Sequence, residues 1–209
     1  VVTVTVETDI SAGVGIYIVG MPDIAVKESL MRITTALRSY GYSLPGKRIV
    51  INLAPADIRK EGSSFDLAIA VALLCAMEVI EPTGLENYII MGELALDGRI
   101  RNIYGTLPIT DNSLAKGFKR FIFPHEAAME AVDLDGATIY GVHTLGDVIS
   151  ILRGELRSED LVMRRPQGEP AAFRPSPDFK DVKGQEEARR GLFDAFTSGR
   201  IDMFGSDHA

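Results

Sequence analysis

One cysteine, Cys75, occurs in 209 residues, so the chain can form no internal disulfide. Its apolar setting, Leu73-Leu74-Cys75-Ala76, reads as a small buried hydrophobe in a reducing compartment. Basic charge is also in short supply. Lys and Arg number 22 against 29 Asp and Glu, a net charge of −7, which argues against nucleic-acid binding by bulk electrostatics. Only a local patch such as Lys47-Arg48 or Arg59-Lys60 is left for that role, and such patches are more often solvated charge. The longest apolar run, Leu67 to Met77, is too short for a bilayer span of ~20 residues. The N-terminus has no basic stretch leading into an apolar run, so nothing resembles a signal peptide. A soluble, cytoplasmic chain without a membrane partner is expected. No internal repeat is evident, and no phosphate loop of the form G-x-x-x-x-G-K-S/T occurs. His125, His143 and His208 are too scattered in sequence to suggest a metal site, and lone surface histidines are the better reading.

Apolar residues make up 46% and charged residues 24%, an ordinary globular composition. Val2, Val4 and Val6 alternate with Thr3, Thr5 and Glu7, the period of a half-buried strand. Gly15 to Val19 reads as a second strand, stopped by Gly20-Met21-Pro22. Asp23 caps a helix with Val26, Leu30, Ile33 and Leu37 on one face, closed by Gly41. Arg48 to Leu53 is a third strand. A polar loop from Ala54 then opens a helix over Phe65 to Met77, apolar nearly all round and therefore expected to be buried. Tyr88 to Leu96 and Arg99 to Ile103 read as a hairpin around Asp97-Gly98. Helices over Leu107–Lys116, Glu126–Val132 and Leu145–Leu152 alternate with strands over Phe121–Phe123 and Thr138–Val142. After Gly154 the composition shifts to prolines and charges, a linker over 155–177, before helical patterning returns from Asp178.

The loop Arg59-Lys60-Glu61-Gly62-Ser63-Ser64 carries the most chemistry. It places free backbone N–H groups and two hydroxyls at a helix N-terminus, which suits an anion or a nucleophilic serine. The plainer alternative is a capped helix, with Ser63 or Ser64 as N-cap and Asp66 favouring the helix dipole. Asp66 also repels an anion there.

Ala54-Pro55-Ala56-Asp57-Ile58-Arg59-Lys60-Glu61-Gly62-Ser63-Ser64-Phe65-Asp66-Leu67 resembles the signature of the ComM/YifB group of magnesium-chelatase-like AAA+ proteins. Val19-Gly20-Met21-Pro22-Asp23, Met91-Gly92-Glu93-Leu94 and Asp181-Val182-Lys183-Gly184-Gln185 extend the similarity over nearly the whole chain. The resemblance implies an α/β (α+β) domain of the Lon-protease C-terminal fold over 1–154, akin to a ribosomal-protein domain, then the linker and the opening of an AAA+ module over 178–209. It implies a parent that binds ATP and Mg²⁺, assembles as a homo-oligomeric, hexameric ring and drives DNA branch migration in natural transformation. The start at Val1 without Met, and the missing phosphate loop, suggest a piece of that longer protein, itself monomeric and holding no cofactor alone. Gly184 and Gln185 would lie against adenine in the complete parent.

Laid over the Lon pattern, Gly62 to Asp66 covers the Gly-Pro-Ser-Ala-Gly nucleophile motif and puts Ser64 on the nucleophile. The catalytic lysine falls on Leu107, and Lys60, Lys116 and Lys119 match no catalytic position. A leucine accepts no proton, so the resemblance implies a domain with no catalytic residue. The ComM/YifB pattern usually has glycine where Ser64 stands. A noncatalytic N-terminal domain of an ATPase is the main expectation. A residual serine peptidase and a pure protein-interaction module are its rivals.

Overall fold

The structure, a computed structural model, describes residues 2–155 and 160–164. These residues fall within one compact unit, Val1–Arg165. Its first part follows the alternation seen in the sequence. β1 (Thr5–Ser11) exposes Thr5, Glu7 and Asp9, and β3 (Arg48–Ala54) buries Ile49, Ile51 and Leu53. With β2 (Gly15–Val19) they make a mixed sheet ordered β1-β3-β2, antiparallel between β1 and β3 and parallel between β2 and β3. Strand pairing starts at Thr5 rather than Val2, later than the alternation suggests. Beyond β2 the chain passes so close to Leu53 that a β-carbon on Gly20, at φ +96°, would overlap the Leu53 backbone.

α1 (Ile24–Ser39) begins as expected, with the Val26 N–H donating to the Asp23 carboxylate at 2.7 Å. Its buried Val26, Ser29, Ile33, Ala36 and Leu37 recur at helical spacing and define one inward stripe. α2 (Asp66–Ala76) has no such stripe because it is apolar all round, and Leu67, Ile69, Ala70, Val71, Leu73 and Leu74 are all buried. It packs against both α1 and β1.

The expected long hairpin is divided. β4 (Tyr88–Ile90) joins a parallel sheet ordered β4-β7-β8 with β7 (Arg120–Pro124) and β8 (Thr138–Val142). Only β5 (Glu93–Leu94) and β6 (Ile100–Arg101) pair across Asp97-Gly98. The break falls at Met91-Gly92, where Gly92 donates to the Ser64 carbonyl and accepts from Leu67 N–H, leaving the sheet to meet the start of α2. A β-carbon on Gly92 would lie 2.8 Å from Ile100, so the crossing requires glycine. α3 (Thr106–Ala115), α4 (His125–Ala128) and α5 (Leu145–Leu152) complete the helices, α4 being much shorter than its helical pattern.

β7 is the strand between two cores. Ile122 faces the large core with α1 and α2, while Phe121 and Phe123 face a smaller one with Ala127, Ala128 and Ala131. Burial on both faces is typical of a central parallel strand. The chain returns to β8 beyond Gly154, where the sequence reading begins a linker: Met163 N–H donates to the Ile139 carbonyl at 2.7 Å. No helix of the described residues is long and apolar enough to cross a membrane.

Candidate functional site

The loop before α2 is held from several sides. Asp23 N–H donates to the Lys60 carbonyl at 2.9 Å, Lys60 N–H to Met21 at 3.1 Å, and Gly62 N–H to the second Asp23 oxygen at 3.2 Å. The Val26 N–H, with help from Gly62 and Arg59, holds the Asp23 carboxyl below the usual carboxylate range against the effect of desolvation. Lys60 is 1% exposed, and its ammonium donates to the Pro55 carbonyl. A buried ammonium needs such an acceptor. That bond directs the amine into the loop.

Neither serine caps α2. The N-cap is Phe65, with no side-chain cap, so the capped-helix expectation for Ser63 or Ser64 is corrected. The Ser63 hydroxyl instead donates to Glu93 on β5, whose other oxygen lies 3.4 Å from Arg101 on β6. Ser64 accepts the Gly92 N–H through its backbone carbonyl at 3.0 Å. Leu107, the second residue of α3, is 46% exposed and carries no proton-accepting atom.

Asp66 is the buried polar centre. Its side chain is 1% exposed and accepts Arg32 Nε at 2.8 Å, Arg32 Nη2 at 3.0 Å and the Leu94 N–H at 3.2 Å. Burial pushes its carboxyl above the usual range, against the pull of Arg32 and Leu94. Arg32 is raised in turn, chiefly by its hydrogen bond to Asp66. This fork joins α1, α2 and β5. The sequence points to Asp66 as a partner of the helix dipole and a repeller of anions, not as half of a buried ion pair, and the only sign of Arg32 is a basic residue in the polar positions of α1.

Gly184 and Gln185, proposed for adenine, lie outside the described residues. An apolar cleft of about 810 Å³ separates β1 and α2 from β4, lined in part by Val4, Val6, Phe65, Val71 and Ile90. Cys75 also lines it, half-buried rather than fully buried. Burial pushes its thiol up to about 11, so it is protonated and unreactive near neutral pH. Of the histidines expected to be lone surface residues, His143 is exposed and His125 partly buried, and the two are not isolated from each other, while His208 lies outside the described residues. His125 and His143 stack with ring centroids 4.5 Å apart.

A family model, the subunit ChlI of Mg-chelatase, matches residues 6–127, more than half of the 209-residue chain. The uncharacterised protein YifB of Escherichia coli is 37% identical over 191 residues, covering 90% of this chain and 37% of YifB. Competence protein ComM of Haemophilus influenzae is 34% identical over 194 residues, with 90% and 37% covered. Lon protease 2 of Bacillus subtilis is 30% identical over 125 residues, 59% of this chain and 22% of the protease. The chain therefore spans little more than a third of the YifB and ComM relatives, at 37% of each.

Proposed function

Because the chain belongs to the Mg-chelatase ChlI-like family that includes YifB and ComM, we propose that it is the noncatalytic N-terminal arm of an AAA+ ATPase of that group. In this reading residues 1–154 form a Lon-like domain, 155–177 a linker whose residues 160–164 return to β8, and 178–209 the entry to the ATPase; residues 156–159 and 165–209 lie outside the described residues. ATP and Mg²⁺ bind in the complete parent, a cytoplasmic hexameric ring acting on DNA, and branch migration is the activity proposed for it. The resemblance to competence protein ComM over 90% of this chain supports the assignment.

The noncatalytic reading is carried by what stands where Ser64 needs a lysine base. Leu107 stands on the lysine position of the Lon pattern, and the Lys60 ammonium is committed to the Pro55 carbonyl. Without a proton acceptor the serine hydroxyl is a weak nucleophile at neutral pH. Casein and a quenched peptide should be turned over at the same background rate by the chain and by Ser64→Ala. Hydrolysis abolished by that exchange would falsify the reading. Mg-ATP should give no calorimetric binding to this chain, because no phosphate loop is present to contact the β- and γ-phosphates. Micromolar binding would place a nucleotide site within the arm itself.

A pure protein-interaction role is the second reading, and a run of exposed apolar residues from Val14 to Met31 favours it. Tyr17 and Val19 on the edge strand β2, with Val14, Met21, Ile24 and Met31 nearby in sequence, are 44–81% exposed. Exposed apolar groups of this kind mark contact surfaces when they cluster. Duplex binding measured at two salt concentrations separates the readings, since phosphate contacts weaken steeply with salt.

A further inference from the structure

The carboxyl ends of β7 and β8 lie side by side. Their parallel register pairs Phe123 with Gly141 and Pro124 with Val142, so His125 and His143 leave the two strands as neighbours. Their rings stack at 4.5 Å between centroids and 25° between planes. Both line a cleft of about 280 Å³ with Arg101, Asn102 and Glu126. The outer end of a parallel sheet is a common place for ligands, because the loops there diverge while the strands hold them rigidly.

We propose that His125 and His143 form a two-histidine site for a first-row divalent transition ion such as Zn²⁺ or Ni²⁺. Rigid neighbours fix the His143 backbone and border the His125 ring. The His143 backbone N–H donates to Asp147 at 2.9 Å, and its carbonyl accepts the Ile100 N–H at 2.8 Å. His125 Nδ1 rests over Gly141, where a β-carbon would come within 3.1 Å of it. Two cis imidazole nitrogens at ~2.1 Å from one ion stand about 3 Å apart. To hold one ion the rings rotate out of their stack, so that one nitrogen of each converges on that separation.

The lining selects the class of ion. Imidazole nitrogens suit Zn²⁺, Ni²⁺ and Cu²⁺, whereas Mg²⁺ requires hard oxygen ligands. No group of three His, Cys, Asp or Glu side chains among the described residues is placed to hold a metal. The two imidazoles are therefore the protein ligands, and water completes the coordination. Glu126 in the lining offsets the Arg101 charge, which is also drawn toward Glu93 at 3.4 Å.

Calorimetric titration of the 209-residue chain with Zn²⁺, and separately with Ni²⁺, is expected to show one equivalent bound. His125→Asn and His143→Asn should each weaken it at least about tenfold. His208→Asn should leave it unchanged, and excess Mg²⁺ should not compete. A measurement on the unaltered protein protects against a variant that misfolds. Substoichiometric paramagnetic Ni²⁺ should shift or broaden the imidazole carbon-bound protons of His125 and His143 before those of His208. No uptake, uptake indifferent to both exchanges, or His208 responding first overturns the site. Inorganic phosphate binding in the cleft where Zn²⁺ and Ni²⁺ do not would also overturn it, in favour of an anion site built on Arg101.

Discussion

Two aspartate–arginine pairs in this domain have nearly equal lengths and opposite surroundings. Asp66 meets Arg32 at 2.8 Å with its side chain 1% exposed, and Asp97 meets Arg99 at 2.7 Å with its side chain 53% exposed. Distance alone would rank them equal. Burial separates them, because a buried charge that loses its partner keeps the cost of desolvation while an exposed one is rehydrated. The directions of titration agree. Burial raises Asp66, whereas the Arg99 N–H holds Asp97 below the usual range. The first pair joins three elements, and the second decorates one turn.

The largest expected effect tests that contrast directly. Arg32→Ala should destabilise the fold by about 3–5 kcal/mol in a denaturant melt, since it strands the Asp66 carboxylate beside the core. If it costs no more than Asp97→Asn, the distinction by burial fails. Leu73→Ala comes next, at roughly 2–5 kcal/mol, because Leu73 is fully buried in α2 and its removal leaves a cavity. A loss below about 1 kcal/mol would mean that α2 repacks around the gap and is not the rigid centre of the core.

The contrast also marks what the sequence could convey. β2, β8 and α5 sit at their expected residues, since alternation, punctuating glycines and the run from Leu145 are local signals. The division of β4 from β5 was hidden, because the apolar pattern runs through Met91-Gly92 and only tertiary crowding against Leu67 and Ile100 breaks it. Site chemistry shows the same split. The lack of a lysine at Leu107 follows from an aligned motif. The Ser63–Glu93, Arg32–Asp66 and His125–His143 pairs join residues 18 to 34 positions apart, which no periodicity connects. Parallel register, visible only in the fold, brings the histidines together.

A local device should give a smaller effect. Thr144 and Asp147 form a capping box at α5, each side chain accepting a backbone N–H of the other. Thr144→Ala should cost about 1 kcal/mol in the same melt, as caps do, and should not alter the Arg32 penalty. A strongly non-additive double variant would link this helix end to the fork and erase the regional boundary.

The smallest effect is Asp97→Asn at neutral pH, and its pH dependence is the sharper test. Asp97 has a lowered folded value, so its contribution is present above the ordinary carboxylate value of 3.8 and is lost as pH falls through the folded one. The small difference between wild type and Asp97→Asn should therefore fade on acidification. Asp66 has the opposite sign. Its folded value is raised, so its titration favours the folded state below 3.8, and that gain is lost as pH rises through the folded value. The stability gap between wild type and Asp66→Asn should accordingly widen in acid while the Asp97 gap closes. Melts of the three proteins between neutral pH and pH 3 read both slopes. Parallel slopes would mean that the solvent reaches Asp66 as freely as Asp97, and the buried fork would lose its special standing.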